Sequence, residues 1–598
     1  MQVVIPAAGM GKRLGELTSD KTKCMVQVNG KTLIEQCLDI VTSFKISRII
    51  LIVGHEEKKL KELIGSNYNN IEVIYIQNKE YKTTNNIFSI YLARKFFKIE
   101  DTILIESDLI FEKKVLKKVI ESRFKDLAVV DKYQSWMDGT AVRIDTTGSI
   151  DNFISKSEFN FEEIDCYFKT VNIYKLSRDF SKKIFVPFLE AYSKAIGKNE
   201  YYEQVLKVLV DIKMGQLKAL TLKDEKWFEI DDLQDLENAE VIFSSSKKKY
   251  DLLNSRYGGY WRFTNIKDFC YLVNPYFPTD RMKNELRHNF DSLINSYPSG
   301  EKTQSFLASN IFNIPPEYIA VGNGAAELLD ILGRNLELKL SIFSPTFEEY
   351  VSRFKNLDIH FPKKKYFRYS KEDVIRISKN NDGVILVNPD NPSGNFINYK
   401  EIISILKIFK REKKYLILDE SFLDFADNAF KSSALNKVDL EKYNNLIIIK
   451  SIGKSFGVGG IRLGVIASSD ERLMALIKKE IPIWNVNSIA ENYMQILNKY
   501  MNDYRRSCEK IIERRNDLFK DLKKISYIVP YPSQANYILF EVKKIKASKL
   551  AESLCNKFGI YVKDCSNKLG LDTKNLIRVA IRDETDNKCL IEALKTFE

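Results

Sequence analysis

A glycine-rich turn followed at once by two cations is the first place in this 598-residue chain where residue types and spacing could do chemistry. In Ile5-Pro-Ala-Ala-Gly-Met-Gly-Lys-Arg-Leu14 the small residues Ala8, Gly9 and Gly11 open backbone N–H groups to phosphate oxygens. Lys12 and Arg13 supply neutralising charge. Arg13 is a candidate catalytic cation, and Lys23 follows ten residues on. Two carboxylate pairs, Glu106-Ser-Asp108 and Glu229-Ile-Asp231, each end an apolar run. Brought together in space, Asp108 and Asp231 could hold one Mg²⁺ through hard oxygen ligands. Such a site works by charge neutralisation and positioning, because an incoming phosphate oxygen attacks in line and no protein nucleophile is required.

A second constellation lies in the C-terminal half. A site for pyridoxal phosphate (PLP) needs an amine for the cofactor's aldehyde, an acid against the pyridine nitrogen, a phosphate cup, and a cation for the substrate's anion. Ser451-Ile-Gly-Lys-Ser-Phe-Gly-Val-Gly-Gly-Ile-Arg462 offers Lys454 as the amine, with Ser451 and Arg462 toward the cofactor phosphate. Asp419 ends the apolar run Tyr415-Leu-Ile-Leu-Asp419, where its charge would keep the pyridine nitrogen protonated. Gly322-Asn-Gly-Ala-Ala-Glu327 opens a helix after a strand, so the amides of Ala325 and Ala326 can cup a phosphate. Phe347 could stack on the cofactor ring.

These residues need a scaffold that delivers strand ends to one edge. Short apolar runs separated by helix-length segments predict an α/β chain, with a doubly wound, Rossmann-like parallel sheet in its first part and a second such series beyond residue 250. The polar break at 244–250 reads as a linker. It divides a first domain, 1–243, from a second, 251–598, whose residues from about 490 onward read as a small α+β subdomain. The hydrophobic fraction of 44% and charged fraction of 29% are those of a globular protein, and no apolar run reaches the roughly 18 residues a bilayer span needs. Nothing resembles a secretory signal, so a cytoplasmic protein without membrane association is expected. Eight scattered cysteines without a C-x-x-C pair, and only three histidines, argue against zinc or haem. The net charge of +13 lacks an aromatic-interleaved basic stripe, so small phosphorylated substrates are expected in place of nucleic acid.

The first turn, followed by Lys23, resembles the family of sugar-phosphate and phosphocholine nucleotidyltransferases, whose signature is A-A-G-x-G-x-R-L and then a P-K pair; Thr22 stands where the proline would be, and the resemblance implies a catalytic role for Lys23 too. Thr84-Asn-Asn-Ile-Phe-Ser-Ile-Tyr91 resembles the N-N-x-x-S-x-Y stretch of the cytidylyltransferase branch, which implies that Asn85 and Ser89 line a pocket for CTP. The same resemblance places Trp136, Asp138 and Lys169 near the acceptor, Asp138 toward an ammonium and Lys169 toward a phosphate. The second half resembles PLP enzymes of the class I/II aminotransferase fold (fold type I). Asn388-Pro-Asp-Asn-Pro-Ser-Gly394 matches their N-P-x-N-P-T-G turn, implying that Asn391 bonds the cofactor's ring hydroxyl. Arg578 matches the substrate-anion arginine, Arg582 would be a second cation, and Asn274 would orient the substrate.

Within that fold, GNGAAEL, PTFEEY and the ending VKDCSNKLGLDTKNLIRVAIR look more like threonine-phosphate decarboxylases than histidinol-phosphate aminotransferases, and Phe422 lacks the phenol typical of aminotransferases. The fusion resembles the nucleotidyltransferase–decarboxylase of phosphonate pathways. The expected activity is therefore Mg²⁺-dependent transfer of CMP from CTP to a small amino-alkyl phosphate or phosphonate, joined to PLP-dependent decarboxylation of a phosphorylated or phosphono amino acid. Amino transfer to a phosphorylated or phosphono aldehyde or ketone is the alternative, and a homodimer is expected from the fold.

Overall fold

In the computed structural model, described for residues 1–134, 137–155, 157–244, 246–263, 265–571 and 574–598, the chain divides into two compact units, Met1–Gly258 and Gly259–Glu598. The boundary falls beyond the stretch read as a linker, part of which enters the helix Ser246–Ser255 of the first unit.

The first unit is built on a ten-stranded sheet. Its centre is parallel: Gln2–Ala7 lies between Ile49–Val53 and Thr102–Ile105, and Ile71–Gln77 continues beyond Ile49–Val53. Gln2–Ala7 and Ile49–Val53 are buried along their whole length, as strands covered on both faces must be, which is why Val3–Ala7 and Ile49–Val53 read as unbroken apolar runs. The other half of the sheet departs from the all-parallel expectation. The strand Phe168–Leu176 runs antiparallel to Thr102–Ile105, and Ala141–Ile144 and Ile150–Ile154 follow it in antiparallel order. A capping box between Thr32 and Glu35 starts the helix Leu33–Thr42, and Asn85 caps Asn86–Phe97.

The second unit holds a seven-stranded sheet. Ile319–Asn323 pairs with Leu463–Ala467, then come Leu446–Ser451, Tyr415–Asp419, Gly383–Val387, Leu340–Phe343 and Leu357–His360. All neighbours are parallel except those of Leu463–Ala467. After the 22-residue helix Met501–Leu522, an antiparallel four-stranded sheet with flanking helices forms the small α+β part. The segment Lys267–Asp268 also pairs there, with Ile560–Tyr561. Among the described residues no helix is long and apolar enough to cross a membrane.

Candidate active sites

Parallel strands deliver their carboxyl ends to one sheet edge, and the loops there carry the first site. Gln2–Ala7 leads into the glycine turn, where Gly11 has φ +63° and a Cβ on it would lie 3.1 Å from the Lys23 Cβ. Glycine is required on both counts. Thr22, in the place of the expected proline, is buried and donates its hydroxyl to the carbonyls of Ala7 (3.2 Å) and Gly9 (2.9 Å). The loop is thus held by hydrogen bonds where a proline ring would hold it by stiffness.

The neighbouring strand Thr102–Ile105 leads to Glu106 and Asp108. Antiparallel pairing of Glu229 with Leu109 brings the strand Trp227–Glu229 alongside. Carboxylate oxygens of Asp108, Glu229 and Asp231 come within 4.8 Å of one another. Lys23 Nζ lies 2.5 Å from Asp108 Oδ2 and 2.7 Å from Asp231 Oδ1, and Arg13 reaches Asp231 at 3.2 Å. Burial works against the charged Lys23, but the two aspartates outweigh it and hold its pKa above the ordinary lysine value. Burial also raises the Asp231 pKa, yet Lys23 and then Arg13 reverse this and leave it below the usual range. The buried Asp108 Oδ1 has no hydrogen-bond partner. An orphaned hard oxygen within a triad of carboxylates fits a divalent cation such as Mg²⁺.

Beside the triad opens a cleft of about 220 Å³, lined by Arg13, Asp138, Lys169, Trp227, Glu229 and Asp231 among others. Lys169 is buried and pairs with Glu229 at 3.0 Å, whereas Asp138 is exposed at the rim and accepts from the Gly139 amide. Lys12 is exposed beside Arg13. Asn85 and Ser89, expected at the CTP pocket, have these partners within the fold. Asn85 caps its helix by accepting from the Asn86 amide (2.8 Å), and Ser89 is buried against Asn78 (3.3 Å). Trp136 lies outside the described residues.

In the second unit the carboxyl ends of Gly383–Val387, Tyr415–Asp419 and Leu446–Ser451 bring the Asn388–Asn391 turn, Asp419 and Ser451 to one edge. Lys454 follows in the short helix Ile452–Ser455, its Nζ 4.3 Å from the ring centre of Phe422 and 5.1 Å from that of Phe347. Burial lowers the Lys454 pKa; Asp419 opposes this, and Arg578 and Arg462 add to it. The neutral, nucleophilic amine is thereby favoured. Asp419 is buried, its Oδ2 accepting from the Tyr350 hydroxyl (2.9 Å) and its Oδ1 from the Ser421 amide (2.8 Å).

The helix Ala325–Asn335 begins with Ala325 and Ala326 behind Gly324, which has φ +76°. A Cβ on Gly324 would meet the Arg462 guanidinium at 2.8 Å, and one on Gly464 would lie 2.3 Å from the Ala325 nitrogen. A helix N-terminus kept clear by two glycines and flanked by an arginine is a phosphate cradle. Arg578 is buried, donating to Asn391 Oδ1 (2.7 Å) and the Cys270 carbonyl (2.7 Å), while its Nε has no partner. A buried lysine beside an aspartate, a cradle and an arginine with a spare donor fit PLP and an anionic substrate.

Asn274 and Arg582, expected at the substrate, also have partners within the fold. Asn274 is buried, and its amide is spent on Ser455 O (3.0 Å), Ser507 Oγ (2.8 Å) and the Tyr276 amide (3.0 Å), so it holds the Lys454 loop. Arg582 is turned toward Asp586 (2.7 Å) and the Asp268 carbonyl (2.9 Å).

The aminotransferase class I and II family matches residues 275–594, more than half of the chain. The chain belongs to this family. Residues 2–159 match the nucleotidyl transferase family. The CMP-5'-(3-aminopropyl)phosphonate synthase of Streptomyces rubellomurinus is 29% identical over 603 residues, 99% of this chain and 94% of that protein. An L-serine phosphate decarboxylase of Campylobacter jejuni is 30% identical over 354 residues, 55% of this chain and 88% of its own length. Among solved structures, a decarboxylase from Sulfurospirillum multivorans superposes with a TM-score of 0.52 at 28% identity, covering 56% of this chain and 90% of that one. The chain is a bifunctional enzyme, a nucleotidyltransferase joined to a PLP-dependent domain, and Mg²⁺ is the usual metal of the former.

Two contributors lay outside the candidate sites read from sequence. Glu229 completes the carboxylate triad, and its i, i+2 spacing from Asp231 on extended chain, which points both to one face, was the signal for it. Tyr350 locks Asp419, and a buried tyrosine one helical turn from Phe347 needs such a partner.

Proposed function

We propose that the first domain transfers CMP from CTP to a small ω-amino phosphonate or phosphate, and that the second decarboxylates the corresponding amino acid. Two equipped sites on one chain, aligned over 99% of its length with a CMP-aminophosphonate synthase, carry this reading.

In the first site the Gly11–Arg13 turn would receive the triphosphate, and Lys23 would leave its aspartates to neutralise it. Asp108, Glu229 and Asp231 would hold Mg²⁺, which when bound supplies positive charge at the α-phosphate. The acceptor's phosphonate oxygen forms a bond to the α-phosphorus as the bond to pyrophosphate breaks; Arg13 stabilises the charge that develops.

In the second site Lys454, Asp419 and the Ala325–Ala326 amides with Ser451 and Arg462 would hold PLP, with Asn391 at its ring hydroxyl and Phe347 on its face. When bound, PLP supplies an electron sink for cleavage at Cα. The spare Nε of Arg578 would take the substrate's anion and fix which Cα bond stands across the ring. As CO₂ leaves with its bonding pair left on Cα, Lys454, carrying as an ammonium the proton released by the substrate's α-amino group, would deliver a proton to that carbon. The Phe422 ring, packed against Lys454 and Tyr537, leaves no phenol at its position, which supports decarboxylation over amino transfer.

A homodimer is supported by exposed apolar groups of the second unit, Tyr297 stacked on Trp484 beside Ile483. Eight free cysteines, six of them buried, suit the cytoplasm. The test is mass spectrometry of enzyme, PLP, Mg²⁺ and CTP with 2-amino-4-phosphonobutyrate, L-phosphoserine or 3-aminopropylphosphonate. Loss of CO₂ with a new CMP ester is expected. Retention of CO₂, with nitrogen passed to 2-oxoglutarate, would replace decarboxylation by amino transfer.

A further inference from the structure

Near the metal triad the first domain buries a second group of carboxylates. Glu203 opens the helix Glu203–Asp211 and is only 7% exposed, and its Oε2 has no hydrogen-bond partner. The hydroxyls of Tyr174 and Tyr202 are likewise buried and unpartnered, their rings crossing edge-on at 5.7 Å. Asn86 ties this corner to the site, its Nδ2 donating to Glu106 Oε1 (3.1 Å) and its Oδ1 accepting from the Tyr202 amide (3.0 Å). Glu229, shared with the triad, is held by Lys169 (3.0 Å) and Asn172 (3.1 Å).

Of the three carboxyls Glu106, Glu203 and Glu229, Glu229 alone is shown paired with an ammonium, that of Lys169 (3.0 Å). Buried carboxylates without countercharge are costly, and so are buried hydroxyls without partners. What such a corner lacks is a cation that also donates several hydrogen bonds. A primary ammonium brings three N–H donors; a quaternary ammonium brings none and would leave every orphaned oxygen unsatisfied. Among the described residues no lysine reaches Glu203 Oε2.

We propose that Glu203, with Glu106 and the hydroxyls of Tyr174 and Tyr202, forms the subsite for the primary ammonium of the acceptor. The first domain then selects ω-amino phosphonates against their uncharged and quaternary counterparts. This rests on the nucleotidyl-transfer reading and adds to it the group by which the acceptor is chosen. Asp138, exposed at the cleft rim, is relieved of that role.

The experiment compares initial rates of CMP transfer by the PLP-loaded, full-length enzyme to 3-aminopropylphosphonate, 2-amino-4-phosphonobutyrate, propylphosphonate and phosphocholine, in wild type, Glu203→Gln and Tyr202→Phe. Wild type should favour an amino phosphonate over propylphosphonate and phosphocholine by about 100-fold in kcat/KM, the scale of one buried charge-assisted contact. Glu203→Gln should lose about 100-fold on the amino acceptor, and Tyr202→Phe about tenfold, with the propylphosphonate rate within about twofold of wild type. Because the readout is a ratio between acceptors, it does not depend on the fraction of a variant that folds. Equal wild-type rates with and without the amine, or equal loss on both acceptors in Glu203→Gln, would overturn the subsite and leave nucleotidyl transfer standing. Absence of CMP transfer to all four acceptors would overturn both.

Discussion

Gly464→Ala is the sharpest probe of the phosphate cradle, because the structure states what the added methyl would strike. A Cβ there would lie 2.3 Å from the Ala325 nitrogen, 2.7 Å from the Gly324 carbonyl carbon and 2.8 Å from the Ala325 Cα. All three are backbone atoms, so no side-chain rotation relieves the clash. Reaching ordinary van der Waals separation, roughly 3.5 Å, requires the helix start or the strand Leu463–Ala467 to shift by about 1 Å. That strand is pinned by register to both Ile319–Asn323 and Leu446–Ser451, so the helix start is the part that yields, and it carries the Ala325 and Ala326 amides. Overpacking of this size costs about 1–3 kcal/mol. If the cradle holds the PLP phosphate, most of that cost appears in binding, as a Kd weakened about 5- to 150-fold. The assay is PLP titration of apoenzyme by tyrosine and tryptophan fluorescence, with CMP transfer as an internal control expected to stay within about twofold. A Kd unchanged by the substitution would refute the assignment of Gly324–Ala326 as the cup.

Lys454→Ala should abolish borohydride-trapped PLP on the protein while CMP transfer continues, checked by intact mass and by pyrophosphate release; loss of both activities would contradict independent chemistry. Because burial and two arginines lower the Lys454 pKa, PLP attachment at that residue should rise with pH through a midpoint below the ordinary 10.5, and Arg578→Ala, which removes one repelling cation, should move the midpoint up. Trapped PLP against pH measures both. Lys23→Met should tighten Mn²⁺ binding in the absence of nucleotide by about tenfold, since the ammonium now lies between two metal ligands, yet slow CMP transfer by about 100-fold or more. Electron paramagnetic resonance reads the first effect, and unchanged Mn²⁺ affinity would remove Lys23 from the metal site.

Much of both candidate sites is legible in the sequence, because it resides in short segments whose conformation is set by local sterics. The glycine turn before Lys12 and Arg13, the Gly322–Glu327 helix entry and the segment from Ser451 to Arg462 each place backbone amides and cations through strand–turn–helix geometry that neighbouring residues dictate. The apolar runs were equally plain where strands are covered on both faces. The antiparallel half of the first sheet was not, since periodicity carries no direction and the strand Phe168–Leu176 reads the same either way.

What only the tertiary structure decided is which polar groups are already spent. Arg578 and Arg582 stand four residues apart with the same charge, yet one is bound to Asn391 and the Cys270 carbonyl with its buried Nε left over, and the other is held by Asp586 and the Asp268 carbonyl. Asn274 is consumed by Ser455 and Ser507, and Ser89 by Asn78, while Glu229 is placed beside Asp108 by a strand pairing across more than a hundred residues. A side chain's chemistry is written in its type. Whether a ligand or the protein itself satisfies that chemistry depends on partners distant in the chain, and folding alone brings those partners within hydrogen-bonding distance.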